Sequence, residues 1–353
     1  MRSLQPGRID LIVHTLLAGL TVGLLSLVLW QNRDTIREVL GQRPDLRLLG
    51  LAFLITQVSL LITFVRWSIL VRVIEPRFTL RSSILLGFIG YVFNLVIPGA
   101  VGGDVIKAAY LARMQIRKTQ AIASMVIDRI LGLLGLFILA AVAGVLAWGL
   151  ATPKVRGLIV VAWGALGLGL VVLAAIFRQP MPRIFQGQAG SGRGRLSTIM
   201  AELKAAATNY RRRLDVLLAG LGLSVVSHGL NVVVFFLIGK TLFSSRMTAT
   251  LGQHFLMAPL TFFTMAVPLP FGALGLTEEV GGQLFKLVGH PSGAVVMMGL
   301  RVLMFGCGLE GACVYLVNLN EMRALTALAH RLEVEPDEDE ERVSGQEAPE
   351  TSR

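Results

Sequence analysis

The sequence predicts an all-α polytopic membrane protein, because of its composition, its charge-free stretches and a Pro/Gly-rich break that occurs twice. Hydrophobic residues make up 54% of the chain, charged residues only 16%, and the mean hydropathy is +0.68. Soluble domains contain about 25% charged residues. The composition therefore indicates that the bilayer is the solvent of this chain.

Eight hydrophobic segments follow one another along the chain. Seven of them contain a stretch without Asp, Glu, Lys or Arg, at 11–32, 48–65, 82–103, 130–153, 157–177, 216–239 and 247–277. Most of these match the roughly 20 residues that a spanning helix needs. The eighth holds both cysteines, Cys307 and Cys313, which are six positions apart on one predicted helix. That spacing predicts neither a disulfide nor a metal site.

Two breaks interrupt this pattern in the same way. The first consists of Asn94, Pro98, Gly99, Gly102, Gly103 and Asp104, and the second consists of Pro270, Gly272, Gly275, Glu278 and Glu279. An arginine follows each break inside an apolar stretch: Arg129 lies 30 residues after Gly99, and Arg301 lies 29 residues after Gly272. Paired interrupted segments in a hydrophobic protein point to a transporter-like site between two repeats.

The distribution of positive charge decides the predicted topology. Residues 178–213 are rich in Arg and Lys, as cytoplasmic loops are. This loop shares a side with the basic amino terminus only if residues 80–112 and 249–290 each enter and leave the membrane on one side. We therefore predict six spanning helices and two oppositely oriented re-entrant hairpins, arranged as an inverted repeat. Both termini would be cytoplasmic in a bacterial-type cell (inner) membrane, although the loop 33–47, with its four arginines, would lie outside.

The chemistry of the breaks predicts a binding cavity. Peptide groups without helical partners would cost several kcal/mol each in hydrocarbon, so the breaks must be buried in protein or line a wet cavity. Helices that begin near Gly102 and Gly275 would point free amides and positive dipole ends toward such a cavity, which favours an anionic headgroup. The alternative is an ordinary Pro-Gly loop at the membrane surface.

Charged side chains inside apolar helices are candidate functional groups, because each is costly without a partner. Neighbours in sequence point about 100° apart on a helix, so Asp128 is a poor partner for Arg129. We expect Asp104 and Glu278 or Glu279 to supply the partners, and Asp104, Arg129, Glu278 and Arg301 to meet in one polar cavity. The alternative is that both arginines extend to the membrane interface. The predicted substrate-binding set is Asn94, Pro98, Gly99, Gly102, Gly103, Asp104, Asp128, Arg129, Pro270, Gly272, Gly275, Glu278, Glu279 and Arg301.

Several other classes of function are disfavoured. The formal net charge of +11 is spread over short loops, which suits anionic lipid and not nucleic acid. Zinc-binding, phosphate-loop and serine-hydrolase motifs do not occur in the sequence, so we predict no metal, no cofactor and no catalytic residue. Residues 1–330 are predicted to form a single transmembrane domain, with residues 178–213 as its cytoplasmic loop and residues 331–353 as an acidic, disordered tail.

The chain resembles the lysylphosphatidylglycerol synthase transmembrane family, also called flippase-like integral membrane proteins. The resemblance rests on Asn94-x-x-x-Pro98-Gly99-x-x-Gly102-Gly103-Asp104, on the pair Asp128-Arg129, and on Pro270-x-Gly272-x-x-Gly275-x-x-Glu278. Family members usually carry Glu where this chain has Asp104 and Asp128. In fused members, a soluble transferase domain makes an aminoacylated lipid and the membrane part is associated with moving it between leaflets. The resemblance implies the stand-alone, lipid-handling part without the transferase domain.

Two functions fit these observations. The leading hypothesis is a flippase-like or scramblase-like translocator, without enzymatic activity, of an anionic lipid or a lipid-linked headgroup. The alternative is an intramembrane enzyme, or an accessory subunit of lipid or glycan synthesis that partners a synthetic enzyme, using Asp104, Asp128 and Glu278 as acids or bases. The lack of a nucleophile-base pair argues against the alternative. Phosphatidylglycerol derivatives, isoprenoid phosphates, hopanoid-type lipids and glycolipids all fit as cargo.

Overall fold

The computed structural model of the protein describes residues 6–96, 102–116, 118–149, 151–177, 209–243, 249–267 and 269–320. This part of the chain is almost entirely helical and contains no β-strand. The helices are α1 (Pro6–Gln31), α2 (Arg33–Leu40), α3 (Leu46–Val71), α4 (Leu80–Val96), α5 (Gly102–Arg113), α6 (Lys118–Ala147), α7 (Pro153–Phe177), α8 (Leu214–Phe243), α9 (Leu251–Phe263), α10 (Leu276–Lys286) and α11 (Gly293–Val317). A 3-10 turn (Thr264–Ala266) and a four-residue turn (Pro270–Ala273) lie between α9 and α10.

Five helices are long and apolar enough to cross a membrane by length and composition, namely α3, α6, α7, α8 and α11. Shorter apolar stretches lie at Gly19–Gln31 in α1 and at Leu80–Leu95 in α4. The prediction of an all-α polytopic membrane protein is confirmed, whereas the count of six spans stays a prediction. Pro98, Gly99, most of the basic loop and the whole acidic tail lie outside the described residues.

The helices α4 and α5 form an antiparallel hairpin around the first break. At its open end, the hydroxyl oxygens of Ser82 and Tyr110 are 3.0 Å apart. Near the break, the two backbones almost touch, because a Cβ added to Gly103 would lie 2.3 Å from the carbonyl oxygen of Gly90. Only glycine permits such a close approach of two helices. The hairpin is therefore specified by its glycines as well as by its apolar faces.

The helices α9 and α10 form a second hairpin around the second break. The ring of His254, at the start of α9, lies 5.0 Å from the ring of Phe285, at the end of α10. Closer to the break, a Cβ on Gly281 of α10 would lie 3.0 Å from the Thr261 methyl group of α9. In both hairpins, the end of the second helix therefore lies beside the start of the first helix.

Each hairpin packs against a helix from the other half of the chain. The first helix of each hairpin makes this contact: α4 lies on α11, and α9 lies on α6. On α11, a Cβ added to Gly311 would lie 2.4 Å from the carbonyl oxygen of Phe88. Between the hairpins, α3 and α8 pack along each other, with the hydroxyls of Ser59 and Ser227 2.9 Å apart. The two helices that carry Arg129 and Arg301 thus each support the opposite hairpin.

Candidate headgroup-binding site

The second break is a left-handed turn. Phe271 has φ 55° and ψ 36°, Gly272 has φ 64° and ψ 52°, and Ala273 has φ 56°. Left-handed backbone costs roughly 1–2 kcal/mol for a residue with a Cβ, so Phe271 and Ala273 are strained. This turn also leaves carbonyl groups without helical partners. Other groups must satisfy those carbonyls for the turn to persist in an apolar surrounding.

Arg301 supplies the missing donors. Its Nη1 donates to the Phe271 carbonyl at 2.6 Å, and its Nη2 donates to the Gly272 carbonyl at 2.8 Å. Its Nε donates to Oε1 of Glu278 at 2.7 Å. The other carboxylate oxygen of Glu278 accepts from the Gly275 amide at 2.6 Å, which caps the start of α10. One buried ion pair therefore stabilises both sides of the break.

The remaining predicted residues of the second break are Pro270, Gly275 and Glu279. Pro270 is buried at the start of the left-handed turn, and Gly275 has φ 86°, a conformation that favours glycine. A Cβ on Gly275 would also lie 2.7 Å from Leu24 of α1. Glu279 accepts a hydrogen bond from Nε2 of Gln283, in its own helix, at 2.8 Å.

The first break is capped by a side chain from the opposite helix. Asn94 Oδ1 accepts from the Gly103 amide at 2.8 Å, near the start of α5 at Gly102. Asn94 therefore accepts from a free amide at the start of α5, as Glu278 does at the start of α10 in the second hairpin. This arrangement leaves Asp104, two residues into α5, available for an ion pair.

Arg129 forms that ion pair. Its Nε donates to Oδ2 of Asp104 at 2.9 Å, and its Nη2 donates to the same oxygen. The Arg129 side chain is 46% exposed and that of Asp104 is 18% exposed. The expected pairing of Arg129 with Asp104 and of Arg301 with Glu278 is confirmed. Substrate binding by these residues stays a prediction.

A second, buried ion pair lies next to this one. Arg66 of α3 makes a bidentate contact with Asp128 of α6, with Nε to Oδ1 at 2.7 Å and Nη2 to Oδ2 at 3.0 Å. The Nη1 of Arg66 donates to the Ser224 hydroxyl of α8 at 2.8 Å. Asp128 therefore joins three helices through Arg66. Its neighbour Arg129 faces the hairpin, as the helical angle between adjacent residues requires.

The two breaks differ in charge and in exposure. Lys107 of α5 lies one helical turn after Asp104. The described residues at and beside the first break therefore include three basic side chains, Arg66, Lys107 and Arg129, and two carboxylates, Asp104 and Asp128. The second break pairs one arginine with one carboxylate, and these side chains are only 4% and 0% exposed. Among the described residues, the ion pair at the first break is thus the more exposed of the two, and more basic side chains lie near it.

Sequence reasoning missed Arg66 and Lys107. Arg66 directly follows the charge-free stretch 48–65 and was not among the predicted residues, although α3 continues to Val71. Lys107 lies one helical turn after Asp104, and that spacing was the signal that could have found it. A further polar contact joins Gln57 of α3 to Glu310 of α11, with Nε2 to Oε2 at 2.6 Å.

This geometry defines a helical membrane domain with charged pairs at two helix breaks. A family model described as the lysylphosphatidylglycerol synthase TM region matches residues 15–305, which is 291 of the 353 residues. The chain therefore belongs to the lysylphosphatidylglycerol synthase transmembrane family, and with it to the membrane proteins of lipid metabolism or translocation. Comparison with curated proteins and with solved structures found no match.

Proposed function

We propose that this protein moves an anionic lipid, or a lipid-linked anionic headgroup, between the leaflets of a membrane. The observation that carries the proposal is the Arg129–Asp104 pair at the first break, in which the Arg129 side chain is 46% exposed. A guanidinium inside an apolar helix is energetically costly, and such a residue is by default a candidate functional group. Its fixed fork of donors suits a phosphate or carboxylate group.

The charge balance supports an anionic cargo. Among the described residues, three basic side chains against two carboxylates give the first break a formal excess of one positive charge when Lys107 is protonated. An entering phosphate neutralises this excess and exchanges its hydration for charge-assisted hydrogen bonds. Asp104 holds the guanidinium in place while the headgroup is bound, and the acyl chains remain in the bilayer.

The second break has a supporting role in this proposal. Arg301 uses its side-chain nitrogens to hold Glu278 and two backbone carbonyls of the left-handed turn. An arginine so engaged is a positioning residue and leaves the headgroup to Arg129. The left-handed turn packs against α4, so Arg301 also fixes the surface on which the first hairpin rests.

The proposed topology has six spans, two re-entrant hairpins and both termini in the cytoplasm of a bacterial-type inner membrane. The return of each hairpin to its starting level supports re-entry. The exchange of contacts, α4 on α11 and α9 on α6, is the pattern that two inverted repeats would give. In this arrangement the two breaks approach the membrane centre from opposite faces.

Reconstitution tests the proposal. The purified protein is placed in liposomes that contain phosphatidylglycerol with a headgroup fluorophore, and dithionite is added outside. We expect the reagent to bleach label from both leaflets, whereas protein-free liposomes lose only the label of the outer leaflet. Lipids extracted afterwards should be chemically unchanged. Unmoved label contradicts the proposal, and a new lipid species would favour the intramembrane enzyme.

A further inference from the structure

Lys107 holds an unusual position beside the first break. Its ammonium nitrogen lies 4.7 Å from the ring centroid of Trp67, a residue that is only 2% exposed. Within the described part of the chain, Lys107 makes no hydrogen bond and no ion pair. An ammonium group has three donors and no acceptor, so this side chain presents donors that no described residue accepts.

The aromatic partner of Lys107, Trp67, also has a hydrogen-bond donor without an acceptor among the described residues. The indole nitrogen of Trp67 is buried, and it too lacks a hydrogen-bond acceptor among the described residues. A cation-π contact contributes about 0.5–2 kcal/mol, which compensates only part of the cost of withdrawing an ammonium from water. Lys107 and Trp67 therefore both present hydrogen-bond donors for which the described residues supply no acceptor.

The surrounding charges indicate what kind of acceptor is missing. Lys107 and Asp104 are three residues apart on α5 and share a face of that helix. Arg66 is already held by Asp128 and Ser224, and Asp104 is held by Arg129. Among the described residues, both carboxylates of the site are thus already paired, and a ligand with several acceptor oxygens would supply acceptors for Lys107.

We propose that Lys107 and Arg129 together bind the phosphate group of the cargo, with Lys107 as a determinant of headgroup specificity. The guanidinium contributes a planar fork of donors, and the ammonium contributes a compact point charge. A headgroup with net negative charge would gain from both groups. A zwitterionic headgroup brings its own cation and would gain less. This inference rests on the proposed function, because it assigns the cargo of the same site.

Trp67 provides a built-in reporter of this binding. A phosphate that draws the ammonium toward itself changes the surroundings of the indole ring. The chain has four tryptophans, and a variant with Trp30, Trp148 and Trp163 replaced by Phe isolates the signal of Trp67. The probes are dihexanoyl phosphatidylglycerol, dihexanoyl phosphatidylcholine and inorganic phosphate, each added to the full chain in a neutral detergent.

We expect saturable changes in Trp67 fluorescence with phosphatidylglycerol and weaker binding of phosphatidylcholine. Calorimetric titration should show that Lys107→Met lowers the affinity for phosphatidylglycerol by about tenfold or more, the effect of removing a hydrogen bond to a charged group. Lys107→Arg should stay within a few-fold of the parent. Lys240 also lies over an aromatic ring, 5.1 Å from the Phe236 centroid, so Lys240→Met is the matched control and should bind normally.

The outcomes separate this inference from the proposed function. Binding of inorganic phosphate would mean that the phosphate group alone suffices, whereas binding of the lipid only would mean that its chains contribute. Equal affinity in Lys107→Met and the parent overturns the inference, as does an unchanged Trp67 signal at saturating phosphatidylglycerol, a test that needs no Lys107 variant. A parent protein that binds the lipid and fails to move it contradicts the function alone.

Discussion

Arg301 and Glu278 form an ion pair that is almost completely enclosed, with Nε and Oε1 2.7 Å apart and the side chains only 4% and 0% exposed. The same guanidinium holds the carbonyls of Phe271 and Gly272. Its counterpart Arg129 is 46% exposed and donates to Oδ2 of Asp104 at the first break. Removal of the two arginines should therefore change the stability of the protein by different amounts.

We expect Arg301→Ala to destabilise the protein much more than Arg129→Ala does. Removing one partner of a buried pair costs about 3–5 kcal/mol, and the Arg301–Glu278 pair is the more enclosed of the two pairs. Thermal unfolding in detergent should show a clearly lower melting temperature for Arg301→Ala only. Equal melting temperatures for Arg301→Ala and the parent would mean that the left-handed turn does not depend on Arg301.

The close approach of Gly103 to Gly90 gives a second prediction. A methyl group at position 103 would lie 2.3 Å from the carbonyl oxygen of Gly90, so Gly103→Ala should separate α4 from α5. Overpacking of this kind costs about 1–3 kcal/mol. Gly222, in α8, has no atom within 4 Å of an added Cβ and is the matched control. We expect Gly222→Ala to unfold like the parent and Gly103→Ala to unfold at a lower temperature.

The pair of Arg66 and Asp128 should behave as a unit in a double-mutant cycle. Each single alanine variant leaves a buried charge without its partner, whereas the double variant removes both charges. We expect the double variant to be less destabilised than the sum of the singles, with a coupling of about 0.5–3 kcal/mol. Unfolding of all four proteins measures this coupling. Additive effects would show that the contact contributes little.

The sequence was sufficient for the class of fold and for the positions of the breaks. Composition and charge-free stretches predict the helices, and Pro and Gly place the interruptions that end α4 and begin α5. The angle between adjacent helical residues also predicted that Asp128 would not be the partner of Arg129. The acid after the first break, Asp104, was the expected partner, and Arg129 donates to it.

The sequence was not sufficient for contacts that depend on how helices pack. Arg66 reaches Asp128 across 62 residues of sequence, and its position at the end of a charge-free stretch gave no hint of a buried partner. The different roles of Arg129 and Arg301 were hidden for the same reason. Both follow a break at nearly the same distance, and the sequence gives no sign of the left-handed turn at Phe271–Ala273 whose carbonyls Arg301 holds.

Re-entry of the first hairpin predicts that its two flanks face the same side of the membrane. Arg77 precedes α4 and Arg113 ends α5, and the hairpin ends meet at Ser82 and Tyr110. Single cysteines at 77 and at 113, in a variant without Cys307 and Cys313, should react with a membrane-impermeant maleimide from the same side. Labelling from opposite sides would show that this hairpin crosses the membrane.

The central claim is that Arg129 handles the headgroup of a moving lipid. The most direct measurement is the initial rate of dithionite bleaching of labelled phosphatidylglycerol in liposomes that contain the parent, Arg129→Lys or Arg129→Ala at equal amounts of folded protein. We expect Arg129→Ala to lose lipid movement and Arg129→Lys to retain part of it, because an ammonium keeps the charge without the planar fork of donors. Movement by Arg129→Ala at the parent rate would contradict the account.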